Sequence, residues 1–421
     1  MNRKKRKNNL RRLRRLHWLS GLGIMAGTVI LVLLMGVAAY AATNIWPNLG
    51  AGAVDLARGL LGDKAVSEIE DFVLSTEDKL KQMQFSLMET TPMAPWLVTP
   101  LPLSNVPNTP VPDTPFPNRT PSPAQPIPTI ATNTPTPAPT PAGWRPANVP
   151  ALGDLPGEGQ WTAYLRDADG NVVAYRTFLQ PDPQRPYVSV AVVAFDLKAT
   201  RLHFMLGYEE PQSSVYISRP ARIPAGDMQP GKILAAFNGG FKAQHGHFGV
   251  MLNGVTLIPP RDGFGTVAIY GNGKVSLGAW GKDITSTPDL TAWRQNGPLI
   301  IQYGQINPLT SVADSKVWGY TTNGGVATGR SALGISADGF TLYYAVGFDL
   351  IMPALARAVQ DVGAYQAIQL DINNFYTHFE AFSPGDNNQL TVTPLLDQMK
   401  GPGDRRYLTI NKRDFFYVTT K

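Results

Sequence analysis

The chain has 421 residues, a formal net charge of +6 and no cysteine. The absence of cysteine excludes a disulfide scaffold, a Cys-ligated zinc or iron–sulfur site and a thiol nucleophile. Nine basic residues lie within 1–15, whereas residues 144–421 hold 23 basic and 22 acidic side chains, so a broad nucleic-acid-binding face is not indicated.

The N-terminal segments predict a membrane anchor. A basic tail, residues 1–17, precedes residues 18–42, which contain no charged side chain. About 20 apolar residues suffice to cross a bilayer, and a basic flank stays on the cytoplasmic side. We therefore expect a single-pass protein of the cell membrane that contacts lipid through 18–42, with an extracytoplasmic C-terminal domain. The alternative is a cleaved signal peptide, because Ala39-Tyr40-Ala41 has the A-x-A form.

Two connecting segments follow the predicted anchor. Residues 43–90 are predicted to form a helical stalk, because residues 51–88 carry apolar side chains at spacings of three, four or seven. The stalk is a short coiled coil, a helix lying on the membrane, or a helix packed loosely near the membrane. Residues 91–143 contain 17 prolines. Because proline fixes φ and removes backbone donors, this stretch is predicted to be a disordered, extended linker.

Residues 144–421 predict one β-rich domain of the α+β class. One helix is predicted at Met352–Val362, from apolar residues at three- and four-residue spacing. The predicted strands are Trp161–Arg166, Val172–Phe178, Tyr187–Phe195, Arg201–Gly207, Ile233–Phe237, Thr266–Tyr270, Val275–Trp280, Leu299–Gln302, Ala332–Ser336, Thr341–Val346, Ala367–Asp371 and Asp414–Thr419.

Two motifs at strand ends are candidate functional segments. The apolar run 235–241 ends in Asn238-Gly239-Gly240-Phe241, where two glycines allow a close approach to a ligand; an ordinary turn is the alternative. In GRSALGIS, residues 329–336, Arg330 stands ahead of a predicted buried strand. A guanidinium at a sheet edge suits a phosphate or carboxylate, and a structural salt bridge is the alternative.

A third segment, residues 367–382, combines acidic, amide and aromatic side chains. Asp371 ends an apolar strand, where a carboxylate is desolvated unless it has a partner or a task; the alternative is a simple turn aspartate. If the strand continues, alternation places Asp371, Asn373 and Phe375 on one face. His245 and His247 form an H-x-H pair, which is more typical of solvated loop histidines than of a metal site.

Taken in chain order, these segments resemble the phosphodiester glycosidase family. Its N-G-G-F strand end, R-[ST]-A-x-G strand and L-D strand end are matched by FNGGF at 237–241, RSALG at 330–334 and QLDINNF at 369–375. The resemblance covers roughly residues 185–420 and indicates a divergent bacterial member with a domain of the N-acetylglucosamine-1-phosphodiester alpha-N-acetylglucosaminidase type. The family's L-D-G-G-G-S turn is replaced here by 370–375, LDINNF. We expect this change to reshape the pocket for another substrate or to end the activity.

The resemblance implies hydrolysis of sugar-1-phosphodiester linkages in envelope or exopolysaccharide glycans, without a cofactor; a divalent cation is not indicated. Arg330 then binds the phosphate, Asp371 faces the positive charge that develops on the sugar, and Asp262 or His378 assists proton transfer. The predicted substrate-binding residues are Asn238, Gly239, Gly240, Phe241, Asn373, Asn374 and Glu380. The alternatives are a non-catalytic envelope glycan-binding domain and a structural surface protein.

Overall fold

The computed structural model describes residues 58–60, 62–88, 92–96, 143–312, 315–319, 323–400 and 405–421. The predicted basic tail, the anchor at 18–42, the first part of the stalk and most of the Pro-rich linker lie outside the described residues. In the part of the chain that is described, no helix combines the length and apolar character needed to cross a bilayer.

Three antiparallel sheets form the domain, as the β-rich prediction requires. An eight-stranded sheet has the order β1-β2-β3-β14-β13-β15-β11-β12, and two five-stranded sheets have the orders β7-β6-β10-β8-β9 and β17-β16-β5-β18-β4. We call these sheets 1, 2 and 3. The strands are Thr162–Arg166 (β1), Val172–Leu179 (β2), Val190–Asp196 (β3), Thr200–Met205 (β4), Ile233–Asn238 (β5), Val250–Leu252 (β6), Val255–Ile258 (β7), Gly265–Tyr270 (β8), Val275–Ala279 (β9), Leu290–Gln295 (β10), Leu299–Gln302 (β11), Gln305–Ile306 (β12), Thr328–Ile335 (β13), Thr341–Leu350 (β14), Gln366–Gln369 (β15), Phe379–Pro384 (β16), Leu390–Pro394 (β17) and Phe415–Thr420 (β18).

The main core lies where the inner faces of the three sheets meet. It contains Phe195 of sheet 1, Val267 of sheet 2 and Phe237 of sheet 3, all fully buried. A second core packs the other face of sheet 1 against the helix Met352–Asp361. Every residue of β3 and of β13 is buried, because both strands are central in sheet 1 and are covered on both faces. A polar side chain in either strand therefore needs partners inside the protein.

A helix that precedes the domain in sequence packs against it. This helix, α1, spans Asp63–Met88 within the predicted stalk, and the helix Met352–Asp361 is α2. Asp78 of α1 binds Arg185 through contacts of 2.5 and 2.8 Å, and Lys81 lies 2.8 Å from Asp349. The ring of Phe85 lies 5.3 Å from that of Tyr187. These contacts hold α1 beside sheet 1.

The sequence predicted most strands within a few residues but placed one functionally important boundary wrongly. β15 ends at Gln369, two residues before Asp371, and residues 371–376 form a loop. Asp371, Asn373 and Phe375 therefore do not share a strand face. The short strands β6, β7, β10, β12, β16 and β17 were not predicted; β7 and β17 are largely solvent-facing, so their apolar pattern is weak.

Candidate active site

The candidate site lies where one strand end from each sheet meets the others. In sheet 3, Asn238 at the end of β5 pairs with Phe415 at the start of β18, so residues 239–240 lie beside 413–414. Just beyond β15 of sheet 1, the Asp371 N–H donates to the Gly239 carbonyl at 2.8 Å. Sheet 2 contributes Arg294 near the end of β10. Two of the segments predicted to be functional, residues 235–241 and 367–382, are thus brought together.

Asn238 is a buried connector between the sheets. Its amide nitrogen donates to Ser331 Oγ at 2.9 Å, and its oxygen accepts from the Tyr344 hydroxyl at 2.8 Å. The Ser331 hydroxyl lies 3.1 Å from the Asp371 carbonyl. These bonds occupy the Asn238 amide within the protein. Through Ser331, the Asn238 side chain helps to fix the backbone position of Asp371. The predicted contact of Asn238 with a sugar is not part of this arrangement.

The two glycines after Asn238 are required by neighbouring side chains. A Cβ on Gly239 would lie 2.7 Å from the Asp414 carbonyl oxygen, and one on Gly240 would lie 2.7 Å from Cζ of Arg294. Real Cβ atoms do not approach other atoms so closely, so the chain can pass here only as glycine. The close approach predicted for a ligand is made by the protein's own Asp414 and Arg294.

Arg294 and Asp414 form a buried pair that supports the glycine loop. Arg294 Nε donates to Asp414 Oδ2 at 2.6 Å, and both side chains are 1 % exposed. The remaining Arg294 nitrogens donate to backbone carbonyls, including that of Phe241 at 2.5 Å. Asn296 accepts from the Phe241 N–H at 3.1 Å. The loop is consequently held from two sides, with the Phe241 ring buried against Phe248.

Asp371 and Arg413 form a second ion pair, which reaches the protein surface. Arg413 Nη2 lies 2.5 Å from Asp371 Oδ2, and the two side chains retain 10 % and 9 % exposure. Burial raises the pKa of Asp371 to about 6, although Arg413 and Lys242 act in the opposite direction. Asp414 adds to the rise through its negative charge. The carboxylate of Asp371 therefore changes protonation near neutral pH, as catalytic carboxylates commonly do.

Two polar atoms at this pair have no partner in the protein. Arg413 Nε and Asp414 Oδ1 are both buried without a hydrogen bond. The Arg413 guanidinium also lies 4.6 Å from the centre of the Tyr376 ring, which is partly exposed. An unused donor and an unused acceptor beside a titrating carboxylate are features of a site built for a polar ligand.

Arg330 lies apart from this ion pair. It is fully buried, because it belongs to the interior of β13, which begins two residues earlier at Thr328. Its nitrogens donate to the Leu350, Asn323 and Val326 carbonyls at 2.9, 2.9 and 3.0 Å. Burial lowers its pKa to about 10. Its donors bind backbone oxygens, so the structure offers a phosphate no access to the residue predicted to bind it.

The loop after Asp371 carries Ile372, Asn373 and Asn374. Asn373 takes a φ of +109°, a conformation that normally calls for glycine, and its side-chain oxygen accepts from the N–H groups of Phe375 and Tyr376 at 2.7 and 3.0 Å. Asn374 accepts from the Gly329 N–H at 2.7 Å. Both asparagines are exposed; Asn373 binds the loop itself, and Asn374 binds the start of β13. They could reach a ligand only through their remaining amide groups.

His378 and Glu380 lie on one side of the site and support a neighbouring segment. Glu380 is fully buried and accepts from the Arg406 N–H at 2.7 Å and from the Tyr407 N–H at 3.3 Å. The His378 ring lies 3.3 Å from the same carboxylate. The Tyr407 hydroxyl in turn donates to the His378 carbonyl at 3.3 Å. Glu380 therefore holds the segment around Arg406 and Tyr407 in place, with the His378 ring beside its carboxylate.

Asp262 is exposed on a loop, with its carboxylate next to Gly281. His247 is exposed and His245 partly so, and within the described ranges no group of three or more His, Asp or Glu side chains is arranged to hold a metal ion.

Three charged residues of the site escaped sequence reasoning, namely Arg294, Arg413 and Asp414. A signal was present, since the adjacent pair Arg413-Asp414 directly precedes the apolar run FFYV, and Arg294 interrupts the apolar run around Trp293. Charged residues in such positions are rarely buried unless they are paired.

Comparison with known proteins agrees with the motif-based resemblance. Residues 231–371 match the phosphodiester glycosidase family. No curated protein matches the chain. Among solved structures, the chain is similar to the catalytic domain of zebrafish N-acetylglucosamine-1-phosphodiester alpha-N-acetylglucosaminidase auto-inhibited by its pro-peptide, with 13 % identity, a TM-score of 0.38 and coverage of 62 % of this chain and 88 % of that one. A hypothetical protein from Synechocystis is similar at 11 % identity and a TM-score of 0.29, over 56 % and 59 % of the two chains.

Proposed function

We propose that this chain, a divergent member of the phosphodiester glycosidase family through residues 231–371, is a hydrolase that cleaves sugar-1-phosphodiesters. The observation that carries the proposal is the Asp371–Arg413 pair. It joins a carboxylate with a pKa of about 6 to a surface-reaching guanidinium, at the convergence of the family's motifs. The same features suit a reaction in which a phosphate leaves a sugar carbon.

In the proposed reaction the bond between C1 of the sugar and the phosphate oxygen breaks. The bonding electron pair leaves with the phosphate, and the oxygen of a water molecule bonds to C1. Asp371, in its ionised form, stabilises the positive charge that develops at C1 and accepts the proton that the water gives up. The products are the free sugar and a phosphomonoester, and Asp371 then returns its proton to solvent.

Arg413 takes the phosphate-binding role in this proposal. Arg330 is fully buried, whereas the Arg413 side chain keeps 10 % exposure and has a buried Nε without a partner in the protein. Lys242 adds a second positive charge, which acts to lower the pKa of Asp371. An arginine can contact phosphate oxygens while it keeps one nitrogen on a carboxylate, because its five donors form a planar fork.

The setting of the reaction is also part of the proposal. The nine basic residues before the uncharged segment 18–42 support a single-pass anchor with a cytoplasmic N-terminus. The domain then acts outside the membrane on envelope or exopolysaccharide glycans of a bacterium.

A second candidate function is glycan binding without hydrolysis. The observation in its favour is the loop 371–376, where Asn373 holds a glycine-like φ of +109° through its own hydrogen bonds. A pocket bordered by this loop can keep the phosphate and sugar contacts while failing to position the water.

A diester of p-nitrophenol with a sugar-1-phosphate separates these possibilities. Cleavage at C1 yields p-nitrophenyl phosphate, which becomes coloured only after phosphatase is added, whereas cleavage at phosphorus releases coloured nitrophenolate directly. We expect the full chain in detergent to give phosphatase-dependent colour with one anomer of a sugar panel. Asp371→Asn should abolish it, and Asp262→Asn, at an exposed aspartate, is the matched control.

Turnover that survives Asp371→Asn would refute the assignment. Saturable binding of the diester with no colour in either format would favour the glycan-binding function.

A further inference from the structure

Helix α1 contacts the domain through a side that carries charged and apolar groups together. Asp78 and Lys81 make the ion pairs with Arg185 and Asp349, Asp78 is 9 % exposed, and the Phe85 ring lies beside that of Tyr187. An amphipathic helix usually packs its apolar side on the protein and turns its charges to water. In α1 several large apolar side chains remain on the side away from these contacts.

The opposite side of α1 presents a row of exposed apolar side chains. Ile69, Phe72, Leu80, Met83 and Leu87 are 45, 70, 59, 58 and 76 % exposed. With 3.6 residues per turn, these positions lie within about 80° of one another around the helix, and roughly opposite Asp78. Thr76 lies at the centre of the row, and its hydroxyl donates to the Phe72 carbonyl at 2.7 Å. We call these residues the apolar stripe: Ile69, Phe72, Thr76, Leu80, Met83 and Leu87.

The spacing of the apolar stripe repeats after eleven residues. Ile69, Phe72 and Thr76 are followed at the same intervals by Leu80, Met83 and Leu87. An eleven-residue repeat corresponds to about 3.67 residues per turn, so the stripe runs nearly straight along the helix, for about 27 Å. Two helices with this repeat can pack along their whole stripes in a slightly right-handed pair.

We propose that the apolar stripe is the surface through which α1 pairs, in parallel, with α1 of a second copy of this chain. The repeat makes the stripe complementary to itself. The domain lies on the other side of α1, so it does not obstruct the partner helix. The predicted anchors at 18–42 precede α1 in both copies, which places the two helices in the same direction.

The charge of α1 argues against a lipid surface as the occupant. The helix has six acidic and three basic residues, a net charge of −3. Helices that lie on membranes are typically rich in lysine and arginine, because the lipid surface is anionic. A second protein helix buries the stripe without bringing these carboxylates against lipid phosphates.

Pairing through α1 has a consequence for the domains. Because the ion pairs of Asp78 and Lys81 hold each domain to its own helix, two domains would be carried on one helical pair. Two sites at a fixed separation can engage the same polymeric ligand, so the second contact becomes intramolecular.

The absence of native cysteine makes the proposal directly testable by disulfide cross-linking. The full chain carrying Thr76→Cys is oxidised in its membrane and separated without reductant. We expect a disulfide-linked dimer, because residue 76 of two parallel helices meets at the centre of the pair. Glu68→Cys and Gln84→Cys are matched controls, since both positions are exposed but lie about 80° around the helix from Thr76, and should give only background.

A second variant checks that the stripe drives the pairing. Phe72→Glu, added to Thr76→Cys, should remove the dimer, and because Phe72 is exposed the domain should stay folded. Equal cross-linking at all three cysteine positions, or none at Thr76→Cys, would overturn the proposal. A fluorophore at position 76 that is quenched by spin-labelled lipid would overturn it in favour of the membrane.

Discussion

Arg413→Gln removes the positive charge beside Asp371 while keeping a side chain of similar length. In the native protein the two groups are 2.5 Å apart and Arg413 lowers the pKa of Asp371, which burial holds at about 6. Without Arg413 the carboxylate keeps its burial and its neighbour Asp414 but loses its main counter-charge. Its pKa must therefore rise.

The size of the change follows from the geometry. Two unit charges about 4 Å apart at an effective dielectric constant of about 20 interact by about 4 kcal/mol, which corresponds to about 3 pH units, and an arginine neighbour usually lowers a carboxyl pKa by about 1–3. We thus expect the pKa of Asp371 in the variant to lie about 1–3 pH units above its native value. At pH 6 the ionised fraction then falls roughly 5- to 500-fold.

The assay is the pH dependence of kcat/KM with the p-nitrophenyl diester. Each reaction is quenched before phosphatase is added to develop the colour. Asp371 acts when ionised, so activity is present above its pKa and is lost as the pH falls through it. The native enzyme should lose activity below about pH 6, and Arg413→Gln should lose it at a higher pH. Arg413→Lys keeps the charge and should keep the native acid limb, at a lower kcat/KM. Arg357→Gln, on the exposed face of α2, is the neutral control.

An acid limb that stays near pH 6 in Arg413→Gln would refute this reasoning. It would mean either that Asp371 is not the titrating group or that Arg413 is not coupled to it. A loss of activity that is equal at every pH would mean that Arg413 acts only as a phosphate ligand. It would contradict the electrostatic coupling between Arg413 and Asp371.

Substitutions at three further positions are tested by urea unfolding. Gly240→Ala places a methyl group 2.7 Å from Arg294 Cζ and should destabilise the protein by about 1–3 kcal/mol; an unchanged midpoint would contradict the close packing. Asn373→Ala should cost about 1–3 kcal/mol, since it keeps a φ of +109° without the side-chain hydrogen bonds, whereas Asn373→Gly should cost less; equal losses would remove backbone strain as the cause. Arg330→Met leaves buried carbonyls without donors and should cost about 3 kcal/mol or more, with KM unchanged; a raised KM at native stability would instead restore the phosphate role.

The sequence was most informative where a local pattern decides the structure. The strand Leu299–Gln302 was predicted with its observed bounds, and the predicted helix Met352–Val362 differs from α2 by one residue. In both segments the apolar spacing and the flanking turn residues agree with the tertiary structure. The β-rich class follows from many such local agreements.

The site was only partly predictable, because its partners are distant in sequence. Arg330 and Arg413 both stand close to the start of an apolar strand, and the pattern does not tell them apart. The predicted strand begins at Ala332, but β13 begins four residues earlier, at Thr328, which places Arg330 inside a central strand covered on both faces, while Arg413 precedes β18 and reaches Asp371. Propensity sets strand positions only to within a few residues. Here that margin decides whether an arginine is enclosed within a strand, as Arg330 is, or lies just before one, as Arg413 does.

The strand order of sheet 3 has a consequence for how the domain is made. β4 and β5 do not pair with each other; each pairs with β18, which lies between them and follows β5 by about 180 residues. During synthesis the edges of β4 and β5 that pair with β18 have no partner until β18 has been made. Contacts between such distant segments form slowly. Pulsed hydrogen exchange should therefore show β2 and β3 protected before β4 and β5. Since Arg413 enters with β18, a partly folded domain holds Asp371 without its partner, so the proposed reaction requires sheet 3 to be complete.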